Sequence, residues 1–117
     1  MAKILVVDDA QFLRVRITKM LSGEGHDFQE ATNGREAVDS YQSYQPDVVL
    51  MDITMPEMDG MEALRAIRDL DPSSKVVMLT ALGQESIVLE AIKLGAKDFI
   101  VKPFDKDRVL GTIAKLS

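Results

Sequence analysis

The chain has 117 residues, 46% hydrophobic and 28% charged, without cysteine, so disulfides, thiolate nucleophiles and thiolate metal sites are excluded. Fourteen basic and nineteen acidic side chains give a net charge of −5, which disfavours direct nucleic-acid binding because the basic residues are scattered. No apolar run reaches membrane-spanning length and the N-terminus lacks a signal-peptide pattern; the expectation is one cytoplasmic domain over residues 1–117, monomeric, with no membrane insertion.

Ile4–Val7 is the first apolar run, and it ends on Asp8-Asp9. A helix follows from about Gln11 to Ser22, with Leu13, Ile17, Met20 and Leu21 on one face and Gly23 and Gly25 ending it. "DFQEA" at 27–31 alternates and is charged, as an edge strand does. "NGRE" then opens a second helix: Asn33 caps it, Glu36 reaches back, and Ala37, Val38, Tyr41 and Tyr44 face inward. Val48–Met51 is a continuous apolar run ending on Asp52. "DGME" offers a capping box from Asp59 and Glu62, with Leu64 and Ile67 facing the core and "DPSS" stopping the helix. Val76–Leu79 ends on Thr80-Ala81. The fourth helix spans about Gln84 to Leu94, with Gly95 in a left-handed C-terminal position. Phe99–Val101 ends on Lys102-Pro103. The fifth helix starts at Asp105, and Phe104 and Val109 form a hydrophobic staple across its cap.

Near-continuous, β-branched runs are strands covered on both faces, and their alternation with helices gives a (βα)₅ parallel sheet, a three-layer α/β sandwich. Ligands in such sheets bind beyond the carboxyl ends of the strands. Parallel strands point the same way, so Asp8, Asp9, Asp52, Thr80 and Lys102 share one edge. Singly each has an ordinary role, as helix cap, strand end or turn; their convergence is what carries the argument. Crowded carboxylates either stay partly protonated or are held ionised by a cation; oxygen-only ligands select a hard metal, and a shallow, open site suits Mg²⁺ better than Ca²⁺. An ammonium, a hydroxyl and a metal around one carboxylate stabilise charge on a transferring phosphoryl group, and the carboxylate can itself be the nucleophile.

The motifs "VVDDA", "LMDITMPEMDG", "LTALG" and "DFIVKPF" resemble those of bacterial response-regulator receiver domains over essentially the whole chain. The resemblance implies a flavodoxin-like fold with strand order 2-1-3-4-5. It implies that Asp52 is phosphorylated by a sensor histidine kinase. Asp9 directly, Asp8 through water, Asp52 itself and the backbone carbonyl of Thr54 would hold Mg²⁺. Thr80 would be the switch hydroxyl, Lys102 the phosphoryl-binding ammonium, Phe99 the aromatic switch and Lys102-Pro103 a cis bond. Val88, Ala96, Phe99, Thr112 and Lys115 would lie near an output surface on the fourth helix, fifth strand and fifth helix.

The reading that follows is a switch driven by phosphorylation rather than an enzyme. The chain stops at the end of its fifth helix, so output is expected through a partner. Single-domain chemotaxis regulators are the most similar group, implying a flagellar motor switch protein as partner and possible action by a phosphatase. A phosphorelay intermediate and a receiver cut from a longer regulator are alternatives. Haloacid-dehalogenase phosphatases share the nucleophile but need an acid where Thr54 stands. An FMN carrier needs a phosphate cradle where Asp8 and Asp9 put negative charge. Phe99 has no hydroxyl to offer a partner. Apolar Leu82 beside the phosphoryl pocket predicts slow self-dephosphorylation. The apolar excess of the fourth helix predicts exposed apolar residues there. His26 is read as solvated, and the seven methionines as core filler.

Overall fold

The computed structural model describes residues 2–117. Five strands alternate with five helices: β1 Lys3–Val7, α1 Gln11–Gly23, β2 Asp27–Ala31, α2 Gly34–Tyr44, β3 Val48–Asp52, α3 Gly60–Leu70, β4 Val76–Thr80, α4 Glu85–Lys93, β5 Asp98–Val101 and α5 Lys106–Leu116. All strand pairs are parallel and the order is β2-β1-β3-β4-β5. The expected flavodoxin-like architecture is present.

Side chains alternate between the two faces of a strand, and here each face has its own core. Leu5, Val7, Val49, Met51, Val76 and Met78 pack against α2, α3 and α4. Ile4, Val6, Val48, Leu50, Val77 and Leu79 pack with Ile17 and Leu21 of α1 and Val109 and Ile113 of α5. β3 and β4 are buried along their whole length, which is why they read as unbroken apolar runs. β2 lies at the edge as expected, but it does not alternate: Asp27–Glu30 are all exposed and only Ala31 is buried. Met51, Met55 and Met78 are buried and Met20, Met58 and Met61 pack partly against the cores, so six of the methionines fill core; Met1 lies outside the described residues.

The caps explain most boundaries. The Asp59–Glu62 box is complete in both directions. Asn33 accepts from the Glu36 N–H, but Glu36 reaches one residue further back than expected and accepts from the N–H and hydroxyl of Thr32. Those two bonds hold the Glu36 carboxyl below its usual range. Gly95 has φ +110, the left-handed residue the sequence predicts after α4. Phe104 and Val109 are both buried in one core, on either side of the Asp105 cap. α1 continues through Gly23, and the left-handed residue after it is Gly25. Leu13 and Tyr44 are half-buried rather than core, at the margins of their helix faces, while Val38 is half-buried and packs against the core as expected. His26 is also half-buried: its Nδ1 accepts the Ala2 N–H at 3.1 Å, so the ring pins the start of β1 instead of standing free in solvent.

Candidate functional site

β3 ends on Asp52 and β4 on Thr80, so both are the last residues of buried strands. The register pairs Val7 with Met51, which sets Asp8 and Asp52 side by side one residue further along. Asp8 is then held from three directions. Its N–H donates to Ala31 O at 3.2 Å, its Oδ1 accepts from the Ala10 N–H at 2.9 Å, and its carbonyl accepts from Arg14 at 2.7 Å.

Asp8 and Asp52 are buried while Asp9 is exposed, so the acids form a pocket with one open wall. Lys102 leaves β5 and bridges them, with Nζ 3.0 Å from Asp52 Oδ1 and 3.3 Å from Asp8 Oδ2. The Lys102-Pro103 bond that follows is cis, as the resemblance implies. Burial pushes the Asp52 carboxyl upward; the Lys102 hydrogen bond opposes this, and the negative charges of Asp8 and Asp9 add to it. Burial also acts to lower Lys102, but its hydrogen bond and charge interactions with Asp52, and then Asp8, win and the ammonium is shifted up. Both partners therefore hold protons more tightly than usual: one ammonium does not neutralise three acids.

That deficit defines what the pocket can hold. Asp8, Asp9 and Asp52 can each present a carboxylate oxygen with all three oxygens within 4.8 Å of one another. An all-oxygen, net negative donor set fits a hard divalent cation such as Mg²⁺. Bound there, such an ion supplies the positive charge that one lysine lacks. Thr54 follows in the exposed start of the β3–α3 loop. Gly60 closes that loop by donating to Ile53 O at 2.7 Å, and a Cβ on it would overlap the Asp52 carbonyl oxygen.

Thr80 is buried and opens onto an apolar groove of about 300 Å³, whose walls include Leu82, Val88, Leu89, Ile92 and Phe99. Phe99 is half-buried and packs partly against the α2–α3–α4 core. Of the other residues named for the output surface, Val88, Ala96 and Thr112 are buried and Lys115 is exposed. Thr112 is occupied by Arg108, accepting from its guanidinium at 2.8 Å. The apolar surface itself belongs to Leu82, Leu89, Ile92 and Val101, with Leu82 81% and Leu89 65% exposed. The expected exposed apolar residues of α4 are therefore Leu89 and Ile92.

Two residues that support the pocket have weak sequence signals. Arg14 joins the Asp8 carbonyl to Glu30 across 2.7 and 3.0 Å, yet in the sequence it is one more polar residue on a helix. Gln84 is the N-cap of α4, a position at which glutamine is not a preferred residue, and its side chain makes no cap bond. It accepts the Ala81 N–H instead, at 2.7 Å.

The response regulator receiver domain family matches residues 4–114. The chain belongs to that family. Among its relatives, this receiver domain is 49% identical to the chemotaxis protein CheY of Thermotoga maritima over 116 residues, 98% of this chain and 97% of that one. It is 54% identical to the CheY of Listeria monocytogenes over 118 aligned positions, 98% of each chain. A solved CheX–CheY–BeF₃–Mg²⁺ complex from Borrelia burgdorferi matches with a TM-score of 0.91 and 39% identity, covering 97% of this chain and 87% of that one. The receiver domain is thus of the CheY type, a phosphorylation-activated signalling protein of two-component systems rather than a turnover enzyme. Among the described residues, no helix is long and apolar enough to cross a membrane.

Proposed function

We propose that the chain, working as one receiver unit over residues 1–117, takes a phosphoryl group onto Asp52 from a sensor histidine kinase in a Mg²⁺-dependent reaction. The observation that carries this is the bridge from Lys102 to both Asp52 and Asp8. It puts a fixed ammonium on the one acid that ends a buried strand, and leaves room for a cation among all three acids. In the transfer, an Asp52 oxygen forms the new bond to phosphorus as the bond from phosphorus to the donor's imidazole nitrogen breaks. The electron pair leaves with the nitrogen. Lys102 Nζ, already 3.0 Å from Asp52 Oδ1, holds charge that moves onto the phosphoryl oxygens. Asp8, Asp9 and Asp52, together with the Thr54 backbone carbonyl, would hold the Mg²⁺.

Thr80 then donates to the phosphoryl group, Phe99 turns inward, and the surface formed by α4, β5 and α5 changes. A chemotaxis role, with a flagellar motor switch protein as partner, is supported by the CheY relatives and by the exposed Leu89 and Ile92 beside the groove. A phosphatase is a candidate for resetting the switch, and the Borrelia relative, solved in complex with CheX, supports a second binding partner for this domain. Without such a partner, reset is slow attack by water, which apolar Leu82 at the rim of the groove disfavours.

The test is labelling with acetyl phosphate and Mg²⁺, read as a mass gain of one phosphoryl group. The native chain gains one group, Asp52→Asn gains none, and omitting Mg²⁺ suppresses the gain. Full labelling of Asp52→Asn would move the acceptor elsewhere.

A further inference from the structure

Gln84 spends its side chain on a backbone donor at the mouth of the acidic pocket. In a parallel strand, consecutive residues turn their N–H and C=O to opposite neighbours. Leu79 faces β3, because its carbonyl accepts the Ile53 N–H at 3.3 Å. Thr80 faces β5, because its carbonyl accepts the Lys102 N–H at 2.7 Å. Ala81 therefore faces the β3 side again, one step past the last β3–β4 pair and beyond the end where Asp52 terminates β3. The ladder has no partner for it there: Ile53 O is taken by the Gly60 N–H at 2.7 Å. The Ala81 N–H goes to Gln84 Oε1 at 2.7 Å.

The other end of the same amide points across the mouth. Gln84 Nε2 lies 3.5 Å from Thr54 Oγ1, at the outer limit of a hydrogen bond. One side chain thus spans the β4–α4 and β3–α3 loops, which flank the Asp52 strand end. Gly83, at φ +91, makes the turn that brings Gln84 back toward Ala81. The strap does not belong to α4's own capping, since the Gln84 side chain makes no bond to the first turn of that helix.

We propose that Gln84 is a gate on the phosphoryl pocket: its side-chain amide holds the Ala81 N–H, and releases it to an oxygen of a phosphoryl group on Asp52. A phosphoryl oxygen carries charge, and a charge-assisted acceptor is stronger than a neutral amide oxygen, so the exchange runs toward release once the group is in place. Until then Gln84 competes with the incoming group. Gln84 also provides the first carbonyl of α4, accepting the Val88 N–H at 3.0 Å, so its release is felt at the start of the helix that carries Leu89 and Ile92. The gate rests on Asp52 being the acceptor.

The experiment compares labelling rates with acetyl phosphate and Mg²⁺ for the native chain, Gln84→Ala and Gln84→Glu. The Ala81 amide signal is followed by NMR in the native chain before and after labelling. Acetate leaves with the electron pair of the broken bond to phosphorus as the Asp52 oxygen bonds to it. Gln84→Ala removes the competitor and is expected to label about three- to tenfold faster. Gln84→Glu keeps an acceptor and adds a negative charge at the mouth, and is expected to label more slowly than the native chain. The Ala81 amide signal should move on labelling. A purely structural role would change the unlabelled proteins' thermal midpoints without this ordering of rates. Equal or slower labelling of Gln84→Ala, or an Ala81 signal that labelling leaves in place, overturns the gate. No label on the native chain removes Asp52 as acceptor, and the gate with it.

Discussion

Asp52 carries an electrostatic conflict. A carboxylate in a buried strand, beside two other acids, is pushed toward its protonated form by burial first and by Asp8 and Asp9 after that. An acid whose folded-state proton affinity is raised contributes stability that is present below its unfolded value and lost as pH rises through the folded one. The metal-free domain is therefore expected to lose stability as pH rises out of the carboxylate range. Asp52→Asn removes that loss while its amide oxygen still accepts from Lys102. Thermal melts in chelator from pH 4 to 8 should show this variant gaining on the native chain as pH rises, and added Mg²⁺ should narrow the difference. A constant gap across pH would mean that the Asp52 charge is already compensated. Most of the pocket was legible in the sequence, because acids, hydroxyl and lysine all follow apolar runs and parallel strands put run ends on one edge. Arg14 and Gln84 were not legible. Each acts through main-chain atoms of a residue brought near by folding, Asp8 for one and Ala81 for the other, and no side-chain pattern records such a bond.

Between elements, the polar ties sit where the apolar cores end. α2 meets the β3–α3 loop closely enough that Gly34 N donates to Met58 O at 2.8 Å, and a Cβ on Gly34 would overlap that carbonyl. At their other ends, α2 and α3 are joined by the Tyr41 hydroxyl, which donates to Asp71 Oδ2 at 2.7 Å. Burial of Tyr41 and then this bond push its phenol well above the usual range, while the bond holds Asp71 below it. Tyr41→Phe keeps the ring in the core and deletes one hydrogen bond. It is expected to cost about 1 kcal/mol, read as a lower urea midpoint with unchanged slope. No change would mean that water replaces the bond at no cost. The sequence marks Tyr41 as inward by its helical spacing but says nothing of Asp71, thirty residues on by the separation of the bonded pair. Elements were legible from apolar period and caps; the ties between them depend on helix placement over the sheet. The same limit explains β2, read as alternating when its edge position leaves both faces of Asp27–Glu30 exposed.

At the scale of the whole molecule, one sheet separates two cores, and the pocket sits where both run out at its carboxyl edge. A phosphoryl group there can move the output surface only by favouring one of two packings of the domain. Thr80 and Phe99 line one groove of about 300 Å³, with Phe99 half-buried at its wall, and the proposed switch would use this space. Phe99 lacks a phenolic hydroxyl, so the proposed inward state would gain apolar burial and leave no donor or acceptor unmet. The proposed link is Thr80, which is buried at the end of β4 and lines the same groove. Thr80→Ala is therefore expected to take the phosphoryl group on Asp52 yet fail to transmit it. In the native chain, labelling should tighten binding of the output partner by a factor within about 5 to 150, the usual range of coupling between two sites. In the variant, the labelled and unlabelled forms should bind within about twofold of each other, since the reporter of the phosphoryl group is gone while Asp52 and Lys102 remain. Parallel measurement of the Phe99 ring by fluorine NMR separates the causes. A ring that still turns inward in labelled Thr80→Ala would place the coupling in another element, and the Gln84 connection to α4 would then be the route to examine.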